Sequence, residues 1–279
     1  MIGLEISGAA RSALDELVAR DDPTILGLVL SGSAARGMAT ERSDVDVFVV
    51  RDDAEEREKR SSVAIDEIPI SLADLDKVDR HGTGDWYFRW SFAYAHVLRD
   101  DSGGRITDAV RRQATVDDDE QRWVLVDQDR LDGYVNFAYR ALKSRRDGRD
   151  LETRLDAAES IDWLLHVVFT LAGRLRPYNK YLPWELREHP LDVPEWSAEA
   201  FLPELERMLA GEPAALRRTF AVVDREVRVW DAAHGTTVCG DLLDSWGPEL
   251  EIFEPSSDGP PGKSRAGREQ PLVDRRWGR

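Results

Sequence analysis

The sequence predicts an α+β protein, a mixed-sheet α/β unit followed by an α-helical bundle. Three observations carry that expectation. Short apolar runs with β-branched content, separated by turn residues, fill the first part of the chain. Long segments of helical period fill the second. A tail rich in Pro, Gly, Ser and charge closes it. The expected divisions are 1–118 for the sheet-containing unit, 119–252 for the bundle and 253–279 for a disordered tail.

ALDELVAR has helical spacing, with Leu14 and Leu17 on one face and Pro23 after its end. Thr24 to Ser31 is a short apolar run that reads as a buried strand, and GSAARG at 32–37 is a turn of small residues. Asp44 to Val50 alternates and then becomes continuously apolar, as a central strand does when its first residues emerge into a site. The charge run 51–60 reads as a solvated loop or helix end. Val63 to Ile70 is a third strand, and SLADLDKV a capped helix start. DWYFRWSFAY is expected to be helical, AHVLRD to hold a short strand, and a helix to begin near Ile106. Beyond it, helical periods run over 122–146, 154–175, 198–210 and 213–232.

The chemistry concentrates after the first strand. Gly32 and Ser33 open a tight turn, and Ala34 and Ala35 can start a short helix. Amide N–H groups at such a turn receive phosphate oxygens, glycine has no Cβ to hold them away, and the serine hydroxyl adds a donor. Arg36, one helical turn on, is a candidate for the same phosphates. Ten residues after Ser33 comes Asp44-Val45-Asp46. In a strand, i and i+2 share a face, so the two carboxylates converge while Val45 is buried. Like charges this close call for a cation, and Mg²⁺ takes one or two carboxylates plus phosphate oxygens.

LSGSAARGMATERSDVDVFVV, residues 30–50, resembles the signature of the nucleotidyltransferase superfamily: a hydrophobic strand, Gly-Ser, a spacer, then Asp-x-Asp on the next strand. The resemblance covers about 100 residues. It implies Mg²⁺-dependent transfer of a nucleoside monophosphate from an NTP, ATP first among them, to an acceptor hydroxyl with release of pyrophosphate. It implies Gly32 and Ser33 on the nucleotide, and Asp44 and Asp46 on the metal. A third metal-binding carboxylate on a neighbouring strand is also implied. VAIDEIPIS offers Asp66 and Glu67, and strand parity does not choose between them. The distance to the following serine in related sequences favours Asp66.

The helical half adds Asp156 and Glu159 at i, i+3, with Glu159 the candidate general base. In RLRPYNKYLPWEL, Pro177 and Pro183 interrupt the helical pattern, which fixes Tyr178, Asn179 and Lys180 in a turn. Lys180 is a candidate to neutralise the triphosphate, and Tyr178 to stack on a base or acceptor. The stretch 130–190 resembles helical domains of bacterial nucleotidyltransferase-type proteins and, more loosely, those of aminoglycoside nucleotidyltransferases. The five histidines lack metal-ligand spacing, and His166 on an apolar helix face reads as core.

Composition narrows the partners. Residues 253–279 carry six Lys/Arg against four Asp/Glu, a contribution of +2, so the body holds −18 of a total of −16. That field opposes RNA or DNA and favours a small, cation-tolerant acceptor, aminoglycoside-like in the resemblance. No run approaches the roughly 18 apolar residues of a membrane span. The first residues lack the pattern of a signal peptide, and Cys239 is alone, which together suggest the cytoplasm. Two alternatives remain: nucleotidylation of a protein, as in antitoxin-like enzymes, and a nucleotide sensor without turnover.

Overall fold

The computed structural model of the chain describes residues 6–254. The expected tail lies outside these residues except for its first two, and Phe253 is not tail: it is buried and stacked on Phe220, with ring centroids 4.0 Å apart. No helix among the described residues is long and apolar enough to cross a membrane.

The first helix, α1 (Gly8–Val18), starts at Ser7, whose hydroxyl accepts the Ala10 amide, and buries Ala10, Leu14 and Leu17. β1 (Ile25–Leu30) leads into the one-turn helix α2 (Gly32–Ala35) and then β2 (Val45–Arg51). The charge run is not all loop: its end forms the two-residue strand β3 (Arg60–Ser61), which turns back onto β4 (Ile65–Ile70). Val63, expected inside the strand, is 98% exposed at the turn between them. α3 (Leu72–Asp76), β5 (His96–Asp100) and α4 (Arg105–Gln113) complete the unit. The sheet order is β3-β4-β2-β1-β5, with β2 and β4 parallel and the other pairs antiparallel, a mixed sheet as expected.

Both sheet faces are covered. Val45, Val47 and Val49 of β2 point with Leu28 and Leu30 toward α1, while Phe48 and Val50 point with Val29 toward α3 and α4. Each such side chain contributes roughly 1.5–3 kcal/mol through burial, so a one-residue register slip would bring Asp46 into the core and turn the valines out. The carboxylates therefore sit where β2 and β4 begin.

The segment expected to be an aromatic helix is a 3₁₀ stretch, Trp86–Phe92. Trp86, Arg89, Trp90 and Phe92 are buried there, while Tyr87 and Phe88 are more than half exposed. The predicted helix 122–146 is also broken. α5 (Asp118–Arg122) runs into a π-helical turn, Trp123–Asp127, and Asp129 takes a left-handed conformation before α6 (Arg130–Arg146) begins. The helices α7 (Asp150–Leu171), α8 (Leu182–Glu188), α9 (Ala198–Leu209), α10 (Pro213–His234) and α11 (Val238–Asp244) follow. Pro183 lies in the first turn of α8, where its missing N–H costs nothing, so it starts a helix instead of interrupting one. Helices α6 to α11 share one apolar core, and a smaller cluster of Trp86, Trp90, Val116, Leu175 and Tyr181 joins this bundle to the sheet-containing unit.

Candidate active site

Gly32 opens α2 with φ +67°, and a Cβ there would lie 2.0 Å from Asp46 Oδ2. The first residue of the turn thus rests directly on the second carboxylate of Asp-x-Asp. The Ser31 amide donates to the Asp46 carbonyl at 2.9 Å, which ties turn and strand together at the same point. As first-turn residues, Gly32, Ser33 and Ala34 have no carbonyl four residues back within the helix to accept their N–H groups. Ser33 is half-buried beside them.

Arg36 does not reach toward a phosphate site. Its side chain turns inward, donating to the carbonyls of Gly32 at 2.6 Å, Trp90 at 3.0 Å and Ala93 at 2.7 Å, with its guanidinium 4.0 Å over the Trp90 ring. A buried guanidinium satisfies itself on main-chain carbonyls, so this arginine holds the turn from beneath. Burial lowers its pKa.

Register separates Asp66 from Glu67. In the parallel pair of β2 and β4, Asp46 is opposite Asp66 and Val47 opposite Glu67, so Asp66 shares the Asp46 face and Glu67 points to the other. Glu67 is taken there by Arg20 in a bidentate pair at 2.7 and 2.9 Å, which lowers its pKa. Asp66 is buried and ion-paired with Lys59, a residue of the charge run that no local pattern singles out.

Burial, then Asp44, then Asp66 push the Asp46 carboxyl above its ordinary value, against the pull of Lys180 and Lys59. That charge is under-compensated, and hard carboxylate oxygens of this kind suit a divalent cation. Among the described residues no three metal-ligating side chains stand together as a ready cage. The donor set therefore fits an ion held by Asp44 and Asp46 with substrate oxygens, joined by Asp66 only when Lys59 lets it go.

Lys180 acts on Asp46 from the helical half. Its turn is fixed by Tyr178, whose hydroxyl donates to the Tyr87 carbonyl at 2.8 Å and lies 3.1 Å from Ser91 Oγ. The Ser91 carbonyl in turn accepts the Ser31 hydroxyl at 2.5 Å. Tyr178 is thereby a strut, its ring against Trp90. The acids of α7 are elsewhere. Asp156 pairs with Arg140 at 3.2 Å, and Glu159 is exposed, with nothing among the described residues joining it to the carboxylates. His166 is buried against His81 and Trp86, as expected of a core residue.

Residues 11–82 match the family described as nucleotidyltransferase domain. No curated protein matches the chain. Among solved structures, the chain is similar to a nucleotidyltransferase-like protein from Exiguobacterium sibiricum 255-15, at 14% identity and a TM-score of 0.33, over 85% of this chain and 89% of that one. The matched segment holds Gly32, Ser33, Asp44, Asp46 and Asp66 together. Over residues 11–82 the chain thus carries a nucleotidyltransferase domain.

Proposed function

We propose that the chain transfers a nucleoside monophosphate from an NTP, ATP in the first instance, to a hydroxyl of a small-molecule acceptor. The observation that carries this reading is the contact of Gly32 with Asp46, flanked by Asp44 and Asp66 and faced by Lys180. A phosphate-receiving turn and an under-compensated carboxylate cluster meet at one point.

In this reading the amides of Gly32 and Ser33 and the Ser33 hydroxyl donate to phosphate oxygens, and the Lys180 ammonium offsets the triphosphate charge. Asp44 and Asp46, with Asp66 once Lys59 releases it, would hold Mg²⁺. Bound there, the ion would neutralise charge on the phosphates and lower the pKa of the acceptor hydroxyl. The acceptor oxygen bonds to the α-phosphorus, the bond to pyrophosphate breaks, and the hydroxyl proton is released. Arg36 keeps the turn in place and does not touch the nucleotide. Glu159, exposed on α7, has no part in the proton transfer. The body charge of −18 supports a small acceptor over a nucleic acid, and the buried Cys239 suits a reducing cytoplasm.

The test follows the label from α-³²P-labelled NTPs incubated with the protein, Mg²⁺ and a panel of hydroxylated small molecules. Label moving onto a small molecule, with equimolar pyrophosphate, is the expected result. Label retained on protein would mean protein nucleotidylation, and NTP binding without pyrophosphate would mean a sensor. Either would overturn the proposed acceptor.

A further inference from the structure

The sheet face that carries Asp46 and Asp66 runs on into a cavity of about 360 Å³. Phe48 and Ile68 line it, each two residues along its strand from a carboxylate, so the cavity begins roughly 6–7 Å from the acids. Its volume is that of a small-molecule site. The floor is aromatic, with the Phe48 and Phe92 ring centroids 4.7 Å apart, and Phe88 stands 60% exposed at the mouth.

The rim has an excess of negative charge. Its two cations are spoken for: Lys77 pairs with Asp79 at 3.0 Å, and Arg89 with Glu120 at 2.5 Å. Glu55, Asp74 and Asp85 are exposed on the same rim, and none has an ion pair among the described residues. Three carboxylates above phenyl rings repel a triphosphate and attract a cation that can lie against an aromatic face.

We propose that this cavity binds a small organic cation with a flat apolar body, and that this molecule is the acceptor whose hydroxyl approaches Asp46 and Asp66. The proposal rests on the nucleotidyl-transfer reading for the acceptor role alone. The nucleotide occupies the opposite approach, between Gly32 and Lys180.

The test uses the full chain and three isosteres that differ in charge: tyramine, 2-(4-hydroxyphenyl)ethanol and 4-hydroxyphenylacetate. By calorimetry without nucleotide, tyramine is expected to bind at least about tenfold more tightly than the anion, a difference of ~1.4 kcal/mol. The neutral alcohol is expected to fall between them. The double variant Glu55→Gln/Asp85→Asn should shrink that preference below about threefold and leave ATP affinity unchanged, and Phe88→Ala should weaken tyramine binding. With ATP and Mg²⁺, tyramine should raise pyrophosphate release saturably. Equal affinity for the three, no binding of tyramine, or its displacement by ATP would overturn the site. Binding without stimulated release would assign the cavity to an effector and overturn the acceptor role. Because the binding arm needs no turnover, its failure leaves nucleotidyl transfer standing, and an inactive enzyme leaves the binding result readable.

Discussion

Replacing Gly32 with Ala perturbs the point where turn and carboxylate meet. The new Cβ would lie 2.0 Å from Asp46 Oδ2 and 3.0 Å from its Cγ, so the carboxylate must leave its present rotamer. That costs about 0.5–1.5 kcal/mol. The backbone there has φ +67°, and a left-handed alanine costs about 1–2 kcal/mol more. The expected loss of stability is thus about 1.5–3.5 kcal/mol, read as a shift of the urea midpoint. Activity should suffer further, because a carboxylate moved by about 1 Å costs about 100-fold in kcat. Gly37 supplies the control. Its φ is +65°, yet nothing lies within 4 Å of the position its Cβ would take. Gly37→Ala should therefore lose the backbone term, about 1–2 kcal/mol, and keep its turnover. Wild-type kcat in Gly32→Ala, or an equal loss of kcat in Gly37→Ala, would refute the reasoning.

Lys180→Ala removes the ammonium that faces Asp46 and should raise KM for the NTP by about 30-fold, the effect of losing a charge-assisted hydrogen bond worth about 2 kcal/mol, with less change in kcat. Steady-state pyrophosphate release would read it, and an unchanged KM would count against it. Arg36→Met should cost about 2–4 kcal/mol in chemical denaturation, since it strips donors from the carbonyls of Gly32, Trp90 and Ala93. His81 is buried, and burial pushes its imidazole from 6.5 down to about 4. The unfolded chain therefore takes up this proton first as pH falls. The associated stability is complete above pH 6.5 and is lost between 6.5 and about 4, to a total of about 3 kcal/mol. Urea midpoints at pH 7 and pH 4.5 would show the fall, and His81→Leu should lessen it; an undiminished acid response in that variant would exclude His81 as its source.

The strands that matter could be read from the sequence because burial on one or both faces imposes a plain pattern. Leu28 to Leu30 and Val47 to Val50 are continuous apolar runs, and both are central strands. Gly32-Ser33 and Asp44-Val45-Asp46 were legible as a pair because strand parity and a glycine turn are local properties. What lay beyond local pattern was hidden. Parity could not choose between Asp66 and Glu67, since the choice depends on which face Arg20 occupies, 47 residues away in sequence. Arg36 reads in the sequence as a candidate for the phosphates, and its inward turn depends on Trp90 and Ala93, brought over it by the 3₁₀ segment, which supply its acceptors. Lys59 was one charge among many in its run, and only the short strand β3 directs the chain so that it meets Asp66. The proline-bounded turn singles out Lys180 as a candidate for the triphosphate, and in the fold its charge acts on Asp46, whereas Glu159 on a helix face carries no information about which way the bundle turns it.

The most direct measurement is Mg²⁺-dependent pyrophosphate release from ATP by the wild-type chain and by Asp46→Asn, taken with the melting temperature of each protein without metal. Asp46→Asn should lose at least about 10³-fold in turnover, the scale of removing a preorganised electrostatic contact. Without metal it should melt no lower than the wild type, because a buried charge repelled by Asp44 and Asp66 has been removed. Turnover within about tenfold of the wild type, on a scale where tenfold is ~1.4 kcal/mol, would contradict the assignment of catalysis to this carboxylate.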